Sequence, residues 1–169
     1  MNEVSMINGH IDKVEPRILD SGDRTQFPSG AVRDMQKGKG RCDLLPLDVI
    51  AELMCSKTLL QIHKFQSSSD IHCLKAALEY FVECNEEWND YIDMILDVAK
   101  HFEEGAEKYG ENNWQKGLPV KNYISSAVRH FLKFIRGDQD EPHDRAFCWN
   151  IICAIWTCEN MPELNNYSF

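Results

Sequence analysis

Residues 121–159 read KNYISSAVRHFLKFIRGDQDEPHDRAFCWNIICAIWTCE, and this stretch decides the fold. Ile124, Ala127, Val128, Phe131, Leu132 and Ile135 recur at the 3.6-residue period, which predicts an amphipathic helix over about Lys121–Arg136. The acidic run GDQDEP at 137–142 combines Gly with Pro and predicts a turn. The next segment, about His143–Glu159, is apolar almost all round, the pattern of a helix buried on every side.

The same reading extends toward the N-terminus. Residues 110–120, GENNWQKGLPV, form a loop with two Gly and one Pro. Before it, Trp88, Ile92, Ile95, Ala99, Phe102 and Ala106 mark a helix that Asn85 would cap and that runs to about Tyr109. Leu74, Leu78 and Phe81 mark another over Ile71 to about Cys84, after the polar turn Ser67–Asp70. A further helix is expected from Pro46 to about Phe65. Residues 27–46 are too rich in Gly, Pro and charge for a helix and read as an ordered loop; residues 1–26 read as a flexible polar arm. Strand-like alternation and internal repeats are not found. The expected class is all-α: a bundle of about five helices with an irregular N-terminal arm and loop.

Composition narrows the function. The chain has 169 residues, 43% of them apolar, enough for one core of ordinary size. Its net charge of -9 argues against tracking a nucleic-acid backbone, which needs concentrated Lys and Arg. A single nucleotide in a local basic pocket, or a divalent cation on surplus carboxylates, remains compatible. The seven cysteines are odd in number and lack a CxxC pair, which fits neither a zinc nor a disulfide framework and suits a reducing cytoplasm. No apolar run approaches the roughly 18 residues of a membrane span, and no secretory leader pattern is present.

Four groups of residues could carry chemistry. Glu103, Glu104 and Glu107 end one helix, while Glu141 and Asp144 open another; two acidic pairs at helical spacing are what a bundle needs to hold Mg²⁺. Acids near helix ends are also often merely solvated. Lys108-Tyr109 and Asn113-Trp114 with Lys116 pair cations for phosphate with an amide and an indole for a base, or else form a turn anchored by its Trp. Arg129-His130 lie within a helix, and Asn150 is the one polar side chain in an otherwise dry stretch, with His143 seven residues earlier on the same face. Arg33-Asp34 precede Lys39, Arg41 and Asp43 in a Gly-rich segment that lacks Walker spacing.

In order, SGAVRDMQKGKGRCDLLP (29–46), GAEKYGENNWQKGLP (105–119), SAVRHFLKFIRGD (126–138) and EPHDRAFCWN (141–150) resemble the phage-borne dATP/dGTP diphosphohydrolase family. That family is similar in turn to the MazG-like all-α NTP pyrophosphohydrolases. The resemblance implies metal-dependent hydrolysis of purine deoxynucleoside triphosphates to the monophosphate, altering nucleotide pools during infection. It implies Mg²⁺ or Mn²⁺ on Glu104, Glu107, Glu141 and Asp144, with Glu104, Glu141 and His143 catalytic. Substrate contacts then fall to Lys39, Arg41, Asp43, Lys108, Tyr109, Asn113, Trp114, Lys116, Arg129, His130 and Asn150. Residues 27–169 become one nucleotide-binding domain, in which 56–98 is a family-atypical helical insertion. A homo-oligomer, dimer or tetramer, is expected in the cytoplasm, with neither nucleic acid nor membrane as partner. The alternatives are a non-hydrolysing nucleotide binder on the same scaffold, and an adaptor that uses the inserted helices.

Overall fold

The computed structural model describes residues 6–7, 10–11, 22–35 and 37–167. Most of the expected arm at 1–26 lies outside the described residues. The chain is all-α in class, with six α-helices among the described residues and two short antiparallel hairpins. The first hairpin pairs β1 (Met6–Ile7) with β2 (His10–Ile11). The second pairs β3 (Arg24–Gln26) with β4 (Val32–Asp34), Thr25 opposite Arg33.

These strands were not expected, and the reason is physical. Each has two or three residues, too few to alternate. The β3–β4 pair closes over Pro28-Ser29-Gly30, where Gly30 takes φ +82 and its N–H donates to the Phe27 carbonyl at 2.8 Å. It is then fastened from outside: Ser29 Oγ donates to the Gly117 carbonyl at 2.7 Å.

The first expected helix is two. α1 (Leu47–Leu53) stops where Cys55 adopts φ +51, and α2 (Lys57–Ser68) restarts under Ser56, whose Oγ accepts from the Leu59 N–H. α3 (Ile71–Cys84) is capped by Asp70. α4 (Tyr91–Tyr109) begins later than Asn85 predicted. Asn85 accepts from Glu87 N–H in a turn, and Asp90 caps the helix by accepting from Ile92 and Asp93. α5 (Val120–Arg136) ends in left-handed Gly137, and α6 (His143–Asn160) starts after Pro142. The last two match the expected spans closely.

α5 and α6 form the centre, and α6 is buried on nearly every side, as its composition requires. Phe81 of α3 sits against Phe147 of α6 with ring centroids 4.3 Å apart, and also meets Phe131, Phe134 and Trp88. Helices of the 56–98 segment therefore share the core of α5 and α6. The outer flank of α4 is different: Ile92, Ile95 and Leu96 are exposed. Among the described residues no helix is long and apolar enough to cross a membrane.

Candidate functional site

A cavity of about 860 Å³ opens between β4, the second half of α4, the Asn112–Trp114 turn, α5 and α6. That volume lies within the range of small-molecule sites, roughly 300–1,000 Å³.

One wall is aromatic. Trp114 packs edge-on against Phe102 and Trp156, at 5.2 and 5.0 Å between centroids. Trp149 meets Phe102, Tyr123 and His101. Trp114 thus anchors its turn and also lines the cavity.

The other wall is charged. Arg33 reaches in from β4, its Nη2 donating to Asn150 Oδ1 at 2.6 Å and its guanidinium lying over the Tyr123 and Trp149 rings. Asn150 completes its amide by donating to the Ala146 carbonyl at 2.7 Å. Arg129 lies one turn of α5 beyond Ser126, to which its Nη2 donates. The Nη1 atoms of Arg33 and Arg129 are buried and have no hydrogen-bond partner among the described residues. Such groups cost free energy until a ligand satisfies them. Burial lowers both guanidinium groups from their ordinary values, and it also lowers Lys39, although Asp34 and Glu141 oppose the shift. Lys133 and Lys39 add further positive charge at this end.

Asp34 fixes β4 to α4. It accepts from Lys108 Nζ at 2.8 Å, from Tyr109 Oη at 2.8 Å and from Arg24 at 2.9 Å. Burial alone would raise the Asp34 carboxyl, but the Lys108 and Tyr109 hydrogen bonds outweigh it and hold the group below its usual value. Asn113 clamps the same strand, donating to the Val32 carbonyl and accepting from the Val32 N–H. Its amide thereby acts on the hairpin backbone rather than on a base edge.

A histidine pair closes the cationic end. His130 Nδ1 and His143 Nδ1 are 3.0 Å apart, and Glu141 Oε1 is 3.7 Å from each. His143 Nε2 meets Asp140 Oδ1 at 2.8 Å, and Asp140 also accepts from Lys133. The Lys133 hydrogen bond, with His143 behind it, pulls the Asp140 carboxyl down to about 2. Burial, reinforced by Arg129, pushes His130 well below its ordinary value and keeps it neutral.

Of the residues singled out from sequence, Lys39, Tyr109, Asn113, Trp114, Arg129, His130, Glu141 and Asn150 line the cavity. Lys108 and His143 stand behind the wall and support Asp34 and His130. The rest are elsewhere. Arg41 is exposed and pairs with Asp43 at 2.7 Å, away from the cavity, while Lys116 is exposed at the end of its turn. Glu104 is paired with Arg145 Nη2 at 2.5 Å, and Asp144 Oδ1 accepts from the Arg145 N–H. Glu107 is exposed and off the cavity wall. Among the described residues, neither cluster of potential metal ligands includes Glu104, Glu107 or Asp144. A hard cation needs converging oxygens, so Glu104, Glu107 and Asp144 do not join Glu141 in a set that fits a resident Mg²⁺. The wall also includes Arg33, Asp34, His101, Tyr123, Trp149 and Lys133. Only the dipeptide Arg33-Asp34 carried a sequence signal, as part of the Gly-rich segment.

Residues 91–166 match the family model described as dATP/dGTP diphosphohydrolase, N-terminal. The match runs from the start of α4 past the end of α6 and so takes in the three helices that build most of the cavity. The β3–β4 hairpin, Lys39 and the first three helices lie outside the matched segment. No curated protein and no solved structure matches the chain.

Proposed function

We infer that this cavity binds a purine deoxynucleoside triphosphate, dATP or dGTP, and that the protein hydrolyses it to the monophosphate and pyrophosphate. The observation that carries the reading is one cavity with an aromatic wall facing two buried guanidinium groups whose Nη1 atoms lack partners. Arg33, Arg129, Lys39 and Lys133 would take the triphosphate, with the two guanidinium forks offering paired N–H donors. Trp114 and Phe102 would flank the base. The name of the family matched by α4–α6 agrees with both substrate and reaction.

Water must attack phosphorus at the cationic end and lose a proton there. His130, Glu141 and His143 gather at that end and are the groups able to hold the water and receive the proton. Mg²⁺ or Mn²⁺ enters as part of the substrate, bound to the phosphates, which makes turnover metal-dependent. Acting on free nucleotides, the protein would change the purine pool of an infected cell's cytoplasm. The exposed Ile92, Ile95 and Leu96 favour self-association through α4. Sedimentation of Ile95→Glu should then show a smaller species than the wild type.

Incubation with each deoxynucleoside triphosphate and Mg²⁺, followed by chromatography, tests the reading. Monophosphate from dATP or dGTP is expected; no turnover of any of them by folded protein overturns it. The separation of the four carboxylates favours one other reading, a nucleotide-sequestering protein without hydrolysis. Tight binding with no product would select it.

A further inference from the structure

We propose that His130, Glu141 and His143 form a binding site for one divalent transition-metal ion of the zinc class, distinct in ligand chemistry from a carboxylate Mg²⁺ site. The proposal rests on the reading of the cavity as a hydrolytic nucleotide site only for the use of the ion, not for its binding.

The first argument is geometric. Two buried imidazoles turn the same kind of atom, Nδ1, toward each other at 3.0 Å, and a carboxylate oxygen lies 3.7 Å from both. Two nitrogens each about 2.1 Å from one ion stand about 3.0 to 3.4 Å apart at angles between square and tetrahedral. The spacing is therefore that of two ligands of one ion before small adjustment of the carboxylate. A hydrogen bond alone would explain the 3.0 Å, but it would not explain why Glu141 faces both rings.

The second argument concerns what lies behind the ligands. The far nitrogen of His143 meets the Asp140 carboxylate at 2.8 Å, and Lys133 holds that carboxylate in turn. A carboxylate behind a ligating imidazole fixes its tautomer and strengthens it as a donor. Here it places the proton on Nε2 and leaves the Nδ1 lone pair for the ion. His143 is 2% exposed, so its ring cannot swing away.

The third argument is donor chemistry and access. Two imidazoles and one carboxylate suit zinc or its neighbours, whereas Mg²⁺ prefers oxygen throughout. His130 and Glu141 line the cavity and His143 closes its back. Three protein ligands leave positions open toward the same space that Arg33 and Arg129 face. The other candidate cluster, Asp138, Asp140 and His143, is less suited, since Arg136 and Lys133 already occupy its carboxylates.

The test uses chelator-treated full-length protein. Zn²⁺, Co²⁺ and Mg²⁺ are titrated without nucleotide, by calorimetry and, for Co²⁺, by visible absorption. One equivalent of Zn²⁺ or Co²⁺ should bind, with cobalt bands free of thiolate charge transfer, and Mg²⁺ should bind at least 100-fold more weakly. His130→Gln and His143→Gln should abolish this binding. The near-isosteric Glu141→Gln, which disturbs the fold least, should weaken it at least 10-fold. Asp140→Asn should weaken it by about 10- to 100-fold through His143. Absence of stoichiometric uptake, thiolate bands from the cysteines, or uptake unchanged in folded Glu141→Gln and His130→Gln overturns the proposal. Metal bound without nucleotide turnover leaves this site standing and removes the hydrolytic reading. Turnover by protein that takes up no zinc-class ion does the reverse.

Discussion

Arg33 and Asn150, 117 residues apart in sequence, are joined by a 2.6 Å hydrogen bond that fastens the β3–β4 hairpin to the central helix α6. The bond explains how one polar side chain survives in the dry middle of that helix. Asn150 is 0% exposed, and both ends of its amide are satisfied, one by Arg33 and one by the Ala146 carbonyl. It also sets the direction of a guanidinium that the proposed substrate needs.

Asn150→Ala should therefore act twice. Loss of a charge-assisted bond at a buried site costs about 2–3 kcal/mol, read as a lower urea midpoint with unchanged slope. The KM for dGTP should also rise, by about 10-fold, because Arg33 is no longer held. A stability loss with unaltered KM would show that Arg33 is structural alone.

Asp34→Asn tests the other fastening. The Asp34–Lys108 pair is nearly buried, with side-chain exposures of 10% and 8%. Neutralising one partner of such a nearly buried pair costs about 3 kcal/mol or more. The thermal midpoint should fall by about 10 °C at this chain length. A shift within 2 °C would mean that Lys108 finds water instead.

Much of this framework was legible in the sequence and part was not. The α5 and α6 spans follow from apolar periodicity and from Gly137 and Pro142, which are local signals. Arg129, Asn150 and Trp114 stood out because each breaks the pattern around it. Arg33 was marked only as part of the Gly-rich segment, since its place in the cavity depends on a three-residue strand paired by tertiary contacts. His101 and Trp149 were passed over because an apolar ring and a lone histidine on a helix read as ordinary core. Glu104 has the spacing that suits a metal, but the fold pairs its carboxylate with Arg145, 41 residues away.

His101 gives the stability a pH dependence. Burial first, then Arg145, Arg33 and Lys108, push it down to about 3 in the folded protein. The unfolded chain takes up this proton near pH 6.5 and the folded chain refuses it. Stability should thus be full above pH 6.5 and fall by about 1.4 kcal/mol per unit between there and pH 3. His130 shifts in the same direction and steepens the fall. In urea denaturation across that window, His101→Phe should reduce the slope by one proton. An unchanged slope would mean that His101 is protonated in the fold.

Trp114 is expected to hold the base and not the phosphates. Trp114→Leu should weaken dGTP binding by about 5- to 150-fold, the range of one lost stacking contact. Inhibition by inorganic tripolyphosphate should stay within about 2-fold of wild type, which controls for folding. Equal losses for both ligands would place the base elsewhere.

Phosphorus NMR of dGTP turnover, recorded for the wild type and for Arg129→Gln, tests the central claim most directly. The wild type should release pyrophosphate and monophosphate in equal amounts. The variant should lose at least 10-fold in kcat/KM while keeping the wild-type thermal midpoint. No pyrophosphate from folded wild-type protein, or undiminished turnover by the variant, would contradict the assignment of this cavity.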